Sequence, residues 1–151
     1  MTRFHQREAT LYKKILVPID LNETAMIAKG EAAAVELARI VKAEIRLINV
    51  QAPTPLAFMD YVPMDFDARL RESFDEELGK IASRLDYPKE LVSTSLRLGS
   101  VYAEVLAEAD AWGADLIVIG SHRPSVSTYL LGSNAKTIVR HAKCSVLVAR
   151  D

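Results

Sequence analysis

Ala114-Asp-Leu-Ile-Val-Ile119 runs directly into Gly120-Ser-His-Arg-Pro-Ser-Val-Ser-Thr-Tyr-Leu-Leu-Gly-Ser-Asn134, and the rest of the chain is best read outward from this passage. The apolar run predicts a buried strand. After the passage, Ala135, Ile138, Val139 and Ala142 recur at i, i+3, i+4, i+7, one face of a helix. The passage therefore joins the end of a strand to the start of a helix, the edge at which open α/β sheets bind ligands. Gly120 lets the backbone turn as it leaves the strand. Gly132 and Ser133 open the helix, where free N–H groups and the positive dipole end favour an anion. Arg123 adds a planar, permanently charged donor fork suited to phosphate. These residues fit a phosphate-binding loop. They fit equally an ordinary loop with glycines at its turns and Ser133 as an N-cap. Neither a Gly-Lys-Ser/Thr loop nor a Gly-x-Gly-x-x-Gly fingerprint occurs.

Upstream, Ile15, Leu16, Val17 and Ile19 form a near-continuous apolar run, as in a parallel strand covered on both faces. Pro18 is tolerable only near that strand's end. Asp20 follows, as a turn residue or as a ligand for ribose or metal-bound phosphate. Asn22 and Thr24 are candidate caps for a helix whose inner face is Ile27, Gly30, Ala34, Leu37, Ala38 and Val41, its small residues allowing close approach to a sheet. Glu44–Val50 reads as the second strand. Val50 at its end is either plain core or a backbone N–H and C=O able to read the edge of a base.

Residues 51–64 carry Pro53, Pro55 and Pro63 among Phe58, Met59 and Tyr61, which excludes a regular helix and fits a lid or an interface. Leu70, Phe74, Leu78, Ile81, Ala82 and Leu85 mark the next helix. Val92–Leu98 alternates like an edge strand. Gly99 ends it, as a turn or as a place where a ligand approaches the backbone. Ser100 is a candidate cap for a helix with the inner stripe Tyr102, Val105, Leu106 and Ala109, and Trp112 at its end. Ser145–Ala149 is the last strand. Strands alternating with helices predict a parallel sheet flanked by helices on both faces. Asp20, Val50, Gly99 and Gly120 then gather at one sheet edge, which favours a nucleotide-like ligand.

The chain has 151 residues, half of them apolar and about a quarter charged, with a formal net charge of −1. That is the size of one domain, with no field to attract nucleic acid or an anionic membrane. No apolar run approaches a membrane span, and residues 1–11 read as a flexible arm without the apolar core of a signal peptide. Cys144 is the sole cysteine, expected as a buried thiol in a reducing cytoplasm. The three histidines offer no recognisable metal spacing.

Lys14-Ile-Leu-Val-Pro-Ile-Asp20, Asp115-Leu-Ile-Val-Ile-Gly120, Leu131-Gly-Ser-Asn-Ala135 and Cys144-Ser-Val-Leu-Val148 together resemble the universal stress protein family across residues 12–151. Ser121-His-Arg-Pro124, with Thr128–Ala135 and Val139-Arg-His-Ala142, looks like the family's small bacterial F and G branch. The resemblance implies a Rossmann-like open sandwich whose five-stranded parallel sheet runs 3-2-1-4-5. It implies one nucleotide-binding domain over residues 12–151 and a cytoplasmic homodimer paired through Val146, Leu147 and Val148. It also implies ATP, with a divalent metal such as Mg²⁺. The base would lie near Pro18, Ile19, Asp20 and Val50, and the ribose near Asp20 and Gly99. The phosphates would lie on Gly120, Ser121, His122, Arg123, Gly132, Ser133 and Asn134.

One departure stands out. The family's ATP loop is written Gly, two residues, Gly, nine residues, Gly, then Ser or Thr. Here Arg123 replaces the second glycine, and only eight residues separate it from Gly132. Arg123 either supplies charge to the phosphates or fills the pocket. The F and G branch shares the Ser-His-Arg-Pro form and is associated with nucleotide binding, which favours the first. Three functions follow: an ATP-binding stress-response regulator; a slow ATPase or autophosphorylating enzyme, with His122 the loop's one candidate base; and a nucleotide-free interaction module using residues 51–64 and the last strand. An unpaired last strand would expose an apolar edge, which a second subunit or the N-terminal arm would cover.

Overall fold

The computed structural model describes residues 11–21, 24–53, 55–120 and 132–150, with 24–28 described by their backbone alone. Strands and helices alternate as β1 (Lys14–Pro18), α1 (Thr24–Val41), β2 (Glu44–Gln51), α2 (Phe66–Arg84), β3 (Val92–Leu98), α3 (Val101–Trp112), β4 (Leu116–Gly120), α4 (Ser133–His141) and β5 (Ser145–Ala149). The sheet is wholly parallel and runs β3-β2-β1-β4-β5. This is the architecture expected from the alternation of elements and the order implied by the resemblance.

Strand alternation sorts the core into two layers. Ile15, Val17, Ile45, Leu47, Leu116 and Val118 face Ala34, Val35 and Ala38 of α1 and Leu78 and Ile81 of α2. Leu16, Ile48, Ile117 and Ile119 face Val105 and Ala109 of α3 and Ala135 and Ile138 of α4. The small residues of α1 bring it close to the sheet: a Cβ on Gly30 would stand 3.3 Å from the Gly120 nitrogen. At the opposite edge, the Asp115 carboxylate accepts the Lys13 N–H at 2.9 Å and the Lys14 N–H at 3.0 Å. That ties β1 to β4 across 102 residues of chain.

Several details differ from the sequence reading. In α2 only Leu78 and Ile81 are buried, Phe74 is partly buried and Leu70 is exposed. In α3, Tyr102 is 42% exposed, and Glu108, at 7%, occupies the inner face. In α4, Val139 is 44% exposed. Ser100 and Gly132 are the N-caps of α3 and α4, and neither makes a side-chain capping bond. The proline-rich stretch forms no α-helix, but Leu56–Tyr61 takes a 3-10 turn with no buried residue. Its Phe58, Met59 and Tyr61 are exposed. Cys144 is partly rather than fully buried, and burial, followed by nearby Asp115 and Asp110, pushes its thiol pKa up.

Glu108 is inside because two arginines hold it. It accepts from Arg46 Nη1 at 2.8 Å and Arg97 Nη1 at 2.6 Å, while Arg97 Nε donates to Glu104 at 2.7 Å. The Arg46 guanidinium stacks on Trp112, 4.4 Å from the ring centre. Burial raises the pKa of Glu108, but the hydrogen bonds from Arg97 and Arg46 outweigh it and leave the carboxyl below its ordinary range.

Glu31 on α1 has no such support. Its Oε1 is buried without a hydrogen-bond partner among the described residues. Burial pushes its pKa up to about 7, and the Arg84 charge offsets only part of that. The folded pKa exceeds the unfolded one. Its contribution is therefore full below the unfolded value and lost as pH rises through about 7. We expect Glu31→Gln to unfold at higher urea than the parent at pH 8, with the gap closing towards pH 4. A gap independent of pH would show that Glu31 does not titrate in this window.

Candidate functional site

The hydrogen-bond ladders at the carboxyl edge open a gap around the end of β1. In a parallel strand, alternate residues turn both N–H and C=O towards the same neighbour. Lys14 C=O accepts from Asp115 N–H, so the even-numbered residues of β1 face β4. Pro18 is one of them and has no proton to give. The register between β1 and β4 accordingly stops at Leu16–Ile117, although β4 continues to Gly120. On the other side, Glu44 N–H donates to Lys13 C=O and Ile48 C=O accepts from Ile19 N–H, so the even residues of β2 face β1. Val50 therefore turns its main-chain pair towards the space beyond β1. The register between these strands ends at Pro18–Ile48.

The gap is the mouth of a cleft of about 420 Å³. Val17–Asp20, Ile48–Ala52, Ile119 and Gly120 line it from the strand ends. Gly30 lines it from α1, Val101 and Val105 from α3, and Gly132, Asn134, Ala135 and Ile138 from α4. The volume falls within the ordinary range for small-molecule sites, about 300–1,000 Å³. Its walls are mainly aliphatic, with a few polar groups set among them. Asp20 is the one acid among the described lining residues. On the α4 side, the first bond of the helix runs from Lys136 N–H to Gly132 C=O at 2.9 Å. The N–H groups of Ser133, Asn134 and Ala135 thus have no partner within the helix, and its first turn carries no acid. Such a terminus favours an anion.

A family model described as the universal stress protein family matches residues 11–150. The chain belongs to the universal stress protein family. It is 35% identical over 143 residues to universal stress protein G of Shigella flexneri, covering 93% of this chain and all of that one. Among solved structures, universal stress protein UspA from Lactobacillus plantarum matches with a TM-score of 0.68 at 22% identity, over 92% of this chain and 98% of that one. A universal stress protein in complex with cAMP matches at TM-score 0.60 and 20% identity, over 93% and 98% of the two chains. The Archaeoglobus fulgidus universal stress protein in complex with dAMP matches at 0.61 and 16%, over 92% and 98%. These structural likenesses show the fold.

Of the residues singled out from the sequence, Pro18, Ile19, Asp20, Val50, Gly120, Gly132 and Asn134 line this universal stress protein's cleft. Gly99 does not. It sits at φ +143°, donates its N–H to Gln51 C=O, and packs against Glu104, whose side chain leaves no room for a Cβ. Ser133 is the first residue of α4 rather than its cap, and its carbonyl accepts from Thr137 Oγ1. Gly120 closes β4, paired with Ala149. Ser121, His122 and Arg123 lie outside the described residues. Val146, Leu147 and Val148 belong to β5, the edge strand beside β4, with Leu147 exposed.

The sequence reading missed Asn49, Gln51, Gly30 and the apolar wall of Val101, Val105 and Ile138. Asn49 did leave a signal: it is an amide set between Ile48 and Val50 within a strand. The others read as core or loop until the helices are packed on the sheet. Ser133→Asp separates helix from ligand at the α4 terminus. An acid in the first turn should raise stability by about 0.5 kcal/mol while weakening binding of any anion there. Unfolding and calorimetric titration with pyrophosphate would measure both, and unchanged anion affinity would place the anion elsewhere.

Proposed function

We propose that this universal stress protein is an ATP-binding regulator of the stress response, a single domain over residues 12–151 acting as a cytoplasmic homodimer. The carrying observation is the early end of β1 between two neighbours that run past it. It sets Val50's main-chain donor and acceptor on one side of a cleft and the N-terminus of α4 on the other. Adenine offers the complement of a main-chain pair, an acceptor at N1 beside a donor at N6. The aliphatic walls suit the base, and Asp20 suits ribose hydroxyls. The N–H groups of the first turn of α4, with Ser121, His122 and Arg123, would hold the phosphates. Mg²⁺ binds through phosphates, water and one or two carboxylates, a role open to Asp20. The cAMP and dAMP complexes of relatives support a nucleotide of this class. Bound ATP would regulate by favouring one of two states of the dimer or of a partner surface, which requires different affinities for the two.

Calorimetry on nucleotide-stripped protein with Mg²⁺ tests the reading. We expect micromolar ATP affinity that falls about tenfold in Arg123→Ala, the loss of one charge-assisted contact. Binding only by the variant would make Arg123 a plug, and binding by neither would overturn the ATP reading.

The homodimer is tested separately. β5 leaves one side of its backbone without a strand partner among the described residues, and pairing with a second copy about a two-fold axis would cover it. Light scattering should give twice the 16.7 kDa chain mass, with Leu147→Lys returning it to one chain. A parent at single-chain mass would overturn the dimer.

A further inference from the structure

Asn49 is 2% exposed, one of only two buried polar residues among those described. Its Nδ2 donates to Ile19 C=O at 2.8 Å, and its Oδ1 accepts from Gln51 Nε2 at 2.7 Å. The first of these bonds stands where a backbone bond would be expected. The rungs between β1 and β2 alternate: Glu44 N–H to Lys13 C=O, then, two residues on, each even residue of β2 to the next odd residue of β1. The next in that series would be Val50 N–H to Ile19 C=O. Ile19 N–H does bond Ile48 C=O at 2.7 Å, so the two chains remain close enough at this point. Yet the Val50 rung is not made, and the Asn49 amide is bonded to the carbonyl instead.

We infer that Asn49 is a positioning residue: by bonding Ile19 C=O it withholds that acceptor from Val50 N–H and keeps Val50's main-chain pair open to a ligand. The physical logic is one of substitution. A buried carbonyl needs a donor, and an empty one costs about 1–3 kcal/mol. Without the Asn49 amide, the nearest way to satisfy Ile19 C=O is to close the ladder by one more rung. That closure would use the donor facing the cleft and narrow the gap beyond β1. Gln51 holds the amide in this orientation, because its own donor fixes which end of Asn49 is the acceptor. Gln51 C=O is in turn anchored by Gly99 N–H at 2.9 Å. The chain of bonds thus runs from the end of β1 to the end of β3, beneath the cleft.

The part of this inference that concerns base recognition rests on the ATP reading; the part that concerns the ladder does not, and the test separates them. By NMR, the Val50 amide of the parent should exchange with solvent on the order of a hundredfold faster than that of Ile48, which lies within the ladder. In Asn49→Leu, of similar volume but without a donor, Val50 should become protected and show a hydrogen-bond coupling to Ile19 C=O. If that variant folds poorly, the parent comparison alone decides the ladder. A Val50 amide as protected as Ile48 in the parent overturns the inference.

The second measurement compares ATP with inosine triphosphate, whose base carries a donor at N1 and an acceptor at O6. The parent should prefer ATP by about tenfold, and Asn49→Leu should bring the ratio towards one. Equal weakening of both nucleotides, with the ratio kept, would show a merely structural role. If the parent binds neither nucleotide, the ATP reading falls while the amide measurement still judges Asn49.

Discussion

The cleft depends on a missing proton. Pro18 stands where β1 would donate its next hydrogen bond to β4, and a proline nitrogen has none to give. The two central strands therefore part after Leu16 and Ile117. A parallel sheet with its central strand cut short, between neighbours that run on, has a notch at its carboxyl edge at the point where the strand order reverses. The helices then wall the notch: α1 through Gly30, α3 through Val101 and Val105, and α4 through its first turn. The clamp of Asp115 on Lys13 and Lys14 keeps the opposite edge shut, so the parting stays local.

The two faces of the sheet are held by different physics. The α1 and α2 face is an aliphatic layer, in which Tyr87 adds one polar tie by donating its hydroxyl to the Ala43 carbonyl. The α3 face carries Glu108, Arg46, Arg97 and Glu104 beneath the helix. A buried carboxylate is tolerable only with its charge matched and its lone pairs filled, and here two guanidinium groups do both. The arrangement has a geometric effect beyond stability. Arg97 lies next to the end of β3, Glu104 lies on the first turn of α3, and Glu104 packs on Gly99 between them. The start of α3, and with it the Val101 wall, is thereby fixed against the sheet.

The sequence shows the five strands and four helices, because continuous apolar runs and helical spacing report burial directly. It also shows Pro18 at the close of its strand, since proline has few other places in a sheet. Periodicity was a poorer guide to how far each helix is covered. Leu70 and Tyr102 sit at apolar positions of their stripes yet stay exposed, and Glu108 sits inside. Spacing gives the direction of a face but not how much of the partner layer lies beneath it. The partners of Glu108 lie 62 and 11 residues away, beyond any local pattern. Gly99 reads as a site residue by position. Only the packed structure reveals that Glu104 occupies the space beside it.

The walls of the cleft are drawn from six separate stretches of chain, and the tie between β1 and β4 spans 102 residues. Such non-local pairings form late, after loop-closure entropy has been overcome. The notch is therefore a product of completed folding, absent from any partly assembled chain. Whatever binds it selects finished molecules over unfinished ones and draws the folding equilibrium towards them by mass action. Occupancy at this edge is in that sense a certificate of assembly, issued only when β4 and α4 have joined β1 and β2.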